Sequence, residues 1–123
     1  MVRALVVALG MTVVAIGAAR AEGDAAKGET VFKRCAPCHS ADNKTNKIGP
    51  SLQGVVGRKS GTAEGFNFSD AMKNSGLTWD EATLSQYLEN PKAKVPGNKM
   101  AFPGLPKEDE RQNVIAYLKQ HSG

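Results

Sequence analysis

Aliphatic and aromatic side chains are scarce in this sequence of 123 residues. Leu, Ile, Val and Phe supply 17 of the 102 residues from Glu22 to Gly123, fewer than a chain of this size normally needs for a core. Disordered chains also contain few of these residues, but they carry a high net charge, whereas residues 22–123 contain 14 Lys and Arg against 12 Asp and Glu. The sequence therefore indicates a fold whose centre is filled by something other than side chains. The short length excludes a multi-domain enzyme and a polytopic membrane protein.

The N-terminal segment differs from the rest of the chain. A basic start at Met1–Arg3 precedes the apolar stretch Ala4–Ala19, and small residues flank Arg20. A mainly apolar stretch of 16 residues is short for a membrane span, which needs about 20. We predict that residues 1–21 are a cleaved signal peptide and that residues 22–123 are one exported, soluble domain. An uncleaved N-terminal anchor is the alternative.

Helical periodicity and helix-end signals predict three main helices and no sustained strand pattern. The helices are expected from Asp24 to about Arg34, from Thr78 to Asn90, and from about Lys107 to Gln120. Thr78 and Glu81 have the spacing of a capping box, and Pro91 disfavours helical backbone at Asn90. Long loops rich in glycine and proline separate these helices, with a short helix expected around Met72. The sequence therefore predicts a small all-α fold.

One glycine lies inside the apolar face of the first predicted helix. Gly28 shares that face with Val31, Phe32 and Cys35. A glycine within a helix costs about 1 kcal/mol relative to alanine. We expect a packing reason for it, namely another backbone that passes very close to this position.

The motif Cys35-Ala36-Pro37-Cys38-His39 carries the chemistry of the chain. Two cysteines three residues apart can form thioethers with the two vinyl groups of one haem, and the following histidine then becomes an axial ligand of the iron. A zinc site needs four ligands, and only His121 remains to join the motif. A thioredoxin-like pair needs a preceding strand, and a plain disulfide would add nothing to the sparse core. We predict one covalent haem c attached through Cys35 and Cys38, with His39 as ligand.

The second axial ligand must come from a short group of candidates. These are His121, Met72, Met100 and the lysines. His121 lies near the chain end, and Met72 fits better as a core residue. Met100 is favoured because Pro96 and Pro103 stiffen the loop around it. With both axial positions filled by the protein, the iron suits electron transfer rather than catalysis.

The sequence from residue 23 to residue 119 resembles class I cytochromes c, close to mitochondrial cytochrome c and the bacterial cytochromes c2. The matching motifs, in this order, are Lys27-Gly28, Cys35–His39, Gly49-Pro50, Gly57-Arg58-Lys59, Thr78-Trp79, Pro96-Gly97 and Lys99-Met100. The resemblance implies a small cytochrome c fold with long loops wrapped around one covalent haem. It also implies His39 and Met100 as the axial ligands of the iron.

Further site residues follow from the resemblance, position by position. Pro50 matches the carbonyl that accepts from the axial histidine, and Tyr87 matches the tyrosine beside the axial methionine. The remaining matches are Arg58 and Trp79 as donors to a haem propionate, Ser69 as a retained hydroxyl, and Phe102 as the aromatic at the haem edge.

Three positions depart from the mitochondrial pattern. Phe68, Met72 and Asn98 stand where the family has tyrosine, asparagine and threonine. The departures leave the axial ligands unchanged. They concern the polar network of the haem crevice, where a phenol, an amide and a hydroxyl would otherwise supply hydrogen bonds.

Four lysines match family positions around the exposed haem edge, and these are Lys47, Lys92, Lys99 and Lys107. Positive charge there would steer the haem edge onto acidic docking sites and raise the association rate. Nucleic acid is not an expected partner, because no basic stripe has interleaved aromatic residues. Expected partners are redox complexes: the cytochrome bc1 complex, a terminal oxidase, a photosynthetic reaction centre or a periplasmic dehydrogenase.

The sequence thus predicts a monomeric, monohaem electron carrier of the periplasm that docks transiently at membrane complexes and is not an enzyme. A haem enzyme or gas sensor is the alternative from another class, in which an external ligand displaces Met100. A membrane-tethered carrier is the third possibility, and it depends on whether the leader is retained.

Overall fold

The computed structural model describes Gly10 and residues 23–122, so that the predicted signal peptide lies almost wholly outside the described residues. The described part contains five α-helices: α1 Ala25–Phe32, α2 Asp70–Lys73, α3 Glu81–Glu89, α4 Pro91–Lys94 and α5 Glu108–Lys119. Its only β pairing is one isolated antiparallel bridge between Lys59 and Thr78. The predicted all-α fold is confirmed. No helix in this part of the chain is long and apolar enough to cross a membrane.

Helix α1 begins where its sequence predicts. The Asp24 side chain accepts hydrogen bonds from the backbone N–H groups of Ala26 and Lys27, at 2.9 and 3.1 Å. The helix ends at Phe32, two residues before the expected end. The reason is a tightened turn, in which the N–H of Cys35 bonds to the Phe32 carbonyl at 2.7 Å. This turn carries the chain directly into the cysteine motif.

Helices α1 and α5 cross with their backbones in contact. A Cβ at Gly28 would overlap the Asn113 carbonyl, so the expected close approach of another backbone is confirmed. The Asp24 N–H also donates to the Asn113 side-chain oxygen at 2.8 Å. The Phe32 and Tyr117 rings close the crossing with their centroids 5.3 Å apart. The two ends of the described chain are thereby joined.

The predicted capping box at Thr78 is wrong. Helix α3 is capped by Asp80, whose side chain accepts from the Thr83 N–H at 2.7 Å. A helix that began after Thr78 would include Trp79, but its backbone is already engaged: its N–H bonds to the Arg58 carbonyl and its own carbonyl accepts from Gly57. This contact between distant segments overrides the local capping signal.

The predicted end of α3 at Asn90 is confirmed, but a further helix follows without a loop. Asn90 is both the C-cap of α3 and the N-cap of α4, and its side chain accepts from the Ala93 N–H at 3.2 Å. Pro91 opens α4, where its missing N–H costs nothing. The chain therefore turns sharply at Asn90 and leads into the segment that carries Met100.

The hydrophobic core lies around α5, which packs against both α1 and α3, and it includes buried residues of the loops. Its most buried members are Leu105, Val114 and Ile115, none of which is more than 1% exposed. Leu84 and Tyr87 contribute the buried face of α3, as the periodicity predicts. Around this core the long loops 39–69 and 95–107 carry most of the candidate site residues.

Candidate haem site

Cys35 and Cys38 lie in the tight turns after α1, as half-buried free thiols. Backbone bonds from Cys38 and His39 to the Cys35 carbonyl, at 3.0 and 2.9 Å, hold the motif as a compact turn. Burial raises the pKa of the Cys35 thiol to about 11, although the nearby Arg34 charge opposes this shift. A raised pKa is the opposite of what a redox-active cysteine pair requires. Among the described residues, no group of three or more His, Cys, Asp or Glu could hold a metal ion by itself.

The His39 ring is fixed in one orientation and one tautomer. Its Nδ1 lies 2.7 Å from the Pro50 carbonyl oxygen, which can only accept, so Nδ1 carries the proton. Nε2 is therefore left with a lone pair for a metal. Gly49 lies so close to the ring that a Cβ at this position would overlap the imidazole.

Burial and two nearby positive charges keep the His39 ring neutral. Burial lowers its pKa below the ordinary value, while the hydrogen bond to Pro50 acts in the opposite direction. The positive charges of Arg58 and Lys47 lower the pKa further. A neutral imidazole is the form that binds a metal.

Met100 follows α4 and lies half-buried beside Tyr87. The Tyr87 hydroxyl is 4.0 Å from the Met100 sulfur and donates toward it. Burial raises the Tyr87 pKa to about 12, so the phenol keeps its proton at all ordinary pH values. The Tyr87 ring also packs against Trp79, with centroids 4.9 Å apart. The thioether is thus placed next to a rigid aromatic pair.

The residues matched to propionate donors are half-buried or buried. The Arg58 guanidinium donates to the carbonyls of Ser51 and Gln53 at 3.1 and 3.3 Å. Burial lowers its pKa, but arginine remains charged. The Ser69 hydroxyl caps α2 by accepting from the Met72 N–H at 3.1 Å, which leaves its own proton available for donation. Trp79 is buried and Phe102 packs against the core from a half-buried position.

The three departures from the mitochondrial pattern are all accommodated. Phe68 packs edge-to-face on Phe66, with centroids 4.8 Å apart. The Met72 sulfur lies 3.9 Å from the Ser75 hydroxyl, which also donates to the Met72 carbonyl at 2.7 Å. Asn98 is 5% exposed and uses its side chain in three hydrogen bonds.

The four matched lysines are exposed and lie on segments that flank the candidate ligands. The Lys47 ammonium donates to the Ala36 carbonyl at 3.2 Å, which ties it to the cysteine motif. Lys92 lies in α4, Lys99 directly precedes Met100, and Lys107 is the N-cap of α5.

Arg111 is a buried cation that the sequence reasoning missed. It is 7% exposed, and it donates to the Ser85 hydroxyl on α3 and to the carbonyls of Leu105 and Pro106. These bonds fix the end of the loop that follows Met100. Arg111 lies three residues before Val114, on the apolar face of α5, and this spacing was the sequence signal that could have indicated its burial.

The donor set fits a covalent haem. Two free thiols sit three residues apart, a neutral imidazole follows them with its Nε2 lone pair available, and the side chains around it are half-buried. The fold and this site define a small all-α protein that carries one covalently bound haem c.

Comparison with known proteins identifies the family. Residues 25–122 match the family described as Cytochrome c. The chain is 58% identical to cytochrome c2 of Rhodoblastus acidophilus over 99 residues, which are 80% of this chain and 92% of that protein. It is 53% identical to cytochrome c2 of Rhodomicrobium vannielii over 116 residues, covering 94% and 93%. The solved structure of cytochrome cH from Methylobacterium extorquens is similar with a TM-score of 0.77 and 54% identity, over 80% of this chain and 99% of that one.

The chain therefore belongs to the cytochrome c family, as a class I c-type cytochrome close to the cytochromes c2. It is an electron carrier, and the predicted family, fold and cofactor are confirmed.

Proposed function

We propose that this chain is a soluble, periplasmic electron carrier whose haem iron is bound by His39 and Met100. The observation that carries the proposal is the Nδ1 contact of His39 with the Pro50 carbonyl at 2.7 Å, which leaves Nε2 free for the iron. Met100 supports it from a second segment, with its sulfur beside the Tyr87 hydroxyl. When bound, the haem supplies one-electron chemistry at its iron.

The residues of this chain set the conditions for that chemistry. Pro50 holds the imidazole in one orientation, so little rearrangement accompanies a change in iron charge. A thioether ligand is neutral and soft, and it raises the reduction potential by favouring ferrous iron. If His39 and Met100 both held the iron, oxygen and peroxide would find no open position there, which would favour electron transfer over catalysis.

The propionate contacts are proposed for three donors. Arg58 uses two of its N–H groups on carbonyls and has others left for an anionic group. The Trp79 indole and the Ser69 hydroxyl are each able to donate one further hydrogen bond. Phe102 is proposed at the haem edge, where a half-buried aromatic ring would limit contact with water.

We propose that Lys47, Lys92, Lys99 and Lys107 form the docking surface for acidic redox partners. The partner classes are the cytochrome bc1 complex, a terminal oxidase, a reaction centre or a periplasmic dehydrogenase, approached by a monomer. Reversal of Lys92 to glutamate should slow electron transfer to such a partner and weaken its dependence on salt, because long-range steering is screened by ions. The matched control is Lys27→Glu, the same charge change on α1. Equal effects in both variants would mean that only net charge matters.

Export is proposed from residues 1–21, with cleavage after Ala21. The mass of the protein isolated from the periplasm tests it, since a mature chain that begins at Glu22 excludes a retained anchor.

The ligand assignment is tested by Met100→Ala with Met72→Ala as its control. Met100→Ala should let carbon monoxide bind the reduced haem at neutral pH and should lower the midpoint potential, because the thioether no longer favours ferrous iron. Met72→Ala should do neither. If the native protein itself binds carbon monoxide readily, the chain is a haem enzyme or gas sensor instead. If Met72→Ala alone opens the iron, the assignment of Met100 is wrong.

A further inference from the structure

Asn98 stands two residues before Met100 at a position where the family usually has threonine. It is nearly fully buried, although an amide is costly to bury without partners. Gly97, which precedes it with φ +87°, turns the chain so that the Asn98 side chain faces inward across α4. The burial of this amide therefore calls for a structural reason.

The Asn98 amide joins helix α4 to the backbone of Met100. Its Nδ2 group donates to the carbonyl of Pro91 at 2.9 Å and to that of Val95 at 2.8 Å. Pro91 opens α4 and Val95 is its C-cap, so the amide group bonds to a carbonyl at each end of this short helix. Its Oδ1 accepts from the Met100 N–H at 2.9 Å. Both amide hydrogens and one oxygen lone pair are thereby used.

A threonine at this position could not make the same set of bonds. One hydroxyl donates a single proton, so it could serve one of the two α4 carbonyls but not both. The carboxamide therefore fixes the Met100 backbone relative to α4 more fully than the usual residue would. A backbone held in this way limits how far the Met100 sulfur can move.

We infer that Asn98 is a positioning residue that keeps the Met100 thioether on the iron and so resists its displacement by other ligands. This inference rests on the proposed ligation by Met100. Asn98 acts through the backbone of Met100, whose N–H donates to the Asn98 side chain. Weakening its bonds raises the fraction of molecules in which the sulfur has left the iron, and an external ligand binds that fraction.

Imidazole binding to the ferric protein measures this fraction, because imidazole competes with the thioether. Asn98→Ala should bind imidazole on the order of tenfold more tightly than the native protein, a factor that corresponds to about 1.4 kcal/mol. Asn98→Thr should lie between the two, and it keeps a polar group in case the alanine variant folds poorly. The long-wavelength absorption band that a thioether gives to ferric haem should weaken in the same order.

Asn90→Ala is the matched control, since it removes another asparagine side chain that bonds to α4 but has no bond to Met100. It should lower the thermal midpoint and leave imidazole affinity within about twofold of the native value. Equal tightening in Asn90→Ala and Asn98→Ala would overturn the inference, because any loss of α4 stability would then suffice. Native affinity in both Asn98 variants would also overturn it.

Met100→Ala separates this inference from the ligand assignment. It removes the competing sulfur and should bind imidazole more tightly than either Asn98 variant. If Met100→Ala binds imidazole no better than the native protein, Met100 is not the ligand and the role of Asn98 falls with it. If Met100→Ala binds tightly while the Asn98 variants behave as native, only the role of Asn98 is wrong.

Discussion

At the scale of single residues, burial and one hydrogen bond decide the protonation state of each candidate group. The Pro50 carbonyl assigns the proton of the His39 ring to Nδ1, and burial keeps that ring neutral. Burial also keeps the Tyr87 phenol protonated, with its pKa raised to about 12. The result is a lone pair on one side chain and an O–H donor on another, and both side chains are themselves neutral.

Tyr87→Phe tests what that donor does. A hydroxyl that donates toward the Met100 sulfur draws electron density from it and favours ferrous iron, so its loss should lower the midpoint potential. The contact is long, and we expect a shift of tens of millivolts, less than the roughly 59 mV that equals a tenfold change for one electron. Redox titration measures it, with Tyr117→Phe as the control because that ring packs on Phe32 instead.

The pH dependence follows from the direction of the Tyr87 pKa shift. Because the phenol stays protonated below about pH 12, the difference between the native protein and Tyr87→Phe should be constant from neutral pH to pH 10. A native midpoint equal to or below that of the variant would contradict the proposed donation to sulfur.

At the scale of the elements, a single carboxylate determines where α3 begins. The Asp80 carboxylate accepts from the backbone N–H and from the side chain of Thr83, and these two hydrogen bonds lower the Asp80 pKa. A lowered pKa in the folded state means that the contribution to stability is present above the ordinary value of 3.8 and is lost as pH falls through the lower, folded value.

Asp80→Ala should therefore lower the thermal midpoint at pH 7, because the first turn of α3 loses its acceptor. The difference from the native protein should shrink as pH falls through the lowered pKa of Asp80, where the native carboxylate itself becomes protonated. Thr78→Ala, which removes the cap predicted from sequence, should have a smaller effect at pH 7. Thermal unfolding followed by circular dichroism decides between the two, and a larger loss in Thr78→Ala would reinstate the capping box.

Local signals predicted most of the helix starts, and a contact between distant segments accounts for the error at Thr78. Asp24 and the acidic first turn of α5 act within a few residues, so those helix starts could be predicted from sequence. Thr78 was misassigned because its neighbour Trp79 pairs with the backbone of Arg58, which only the fold brings close. Contacts that only the fold creates also explain which residues of the candidate site could not be predicted.

Motif spacing predicted Cys35, Cys38 and His39 from sequence, the loop between two prolines favoured Met100, and the family resemblance added the proposed crevice residues. Asn98 and Arg111 gave no comparable signal. Their partners are backbone carbonyls, which carry no sequence signature. The amide of Asn98 could be recognised as a departure from the family, but its three bonds could not be foreseen.

At the scale of the whole molecule, the protein core is small. The buried hydrophobic residues of the described chain cluster between α1, α3 and α5, while many others remain only partly buried, among them Leu52, Met72 and Phe102. Small domains are only marginally stable when they bury little apolar surface. The covalently bound haem would supply the missing apolar area.

The double variant Cys35→Ala/Cys38→Ala should therefore be largely unfolded, because the covalent attachment and its apolar surface are lost together. Far-ultraviolet circular dichroism measures the remaining helix content. The single variant Cys35→Ala, which keeps one attachment point, should retain more helix than the double variant. Native helix content in the double variant without haem would overturn the view that haem completes the core.

The crossing of α1 and α5 also sets an order of events during biogenesis. Helix α1 and the cysteines that follow it are synthesised well before α5, which is nearly the last segment to be made. The groove at Gly28 is covered only when Asn113 arrives, so the N-terminal part of the chain must wait with its main packing surface exposed. We expect Cys35 and Cys38 to stay accessible throughout that interval. The C-terminal helix α5 thus completes the packing around α1 only when the whole chain is present.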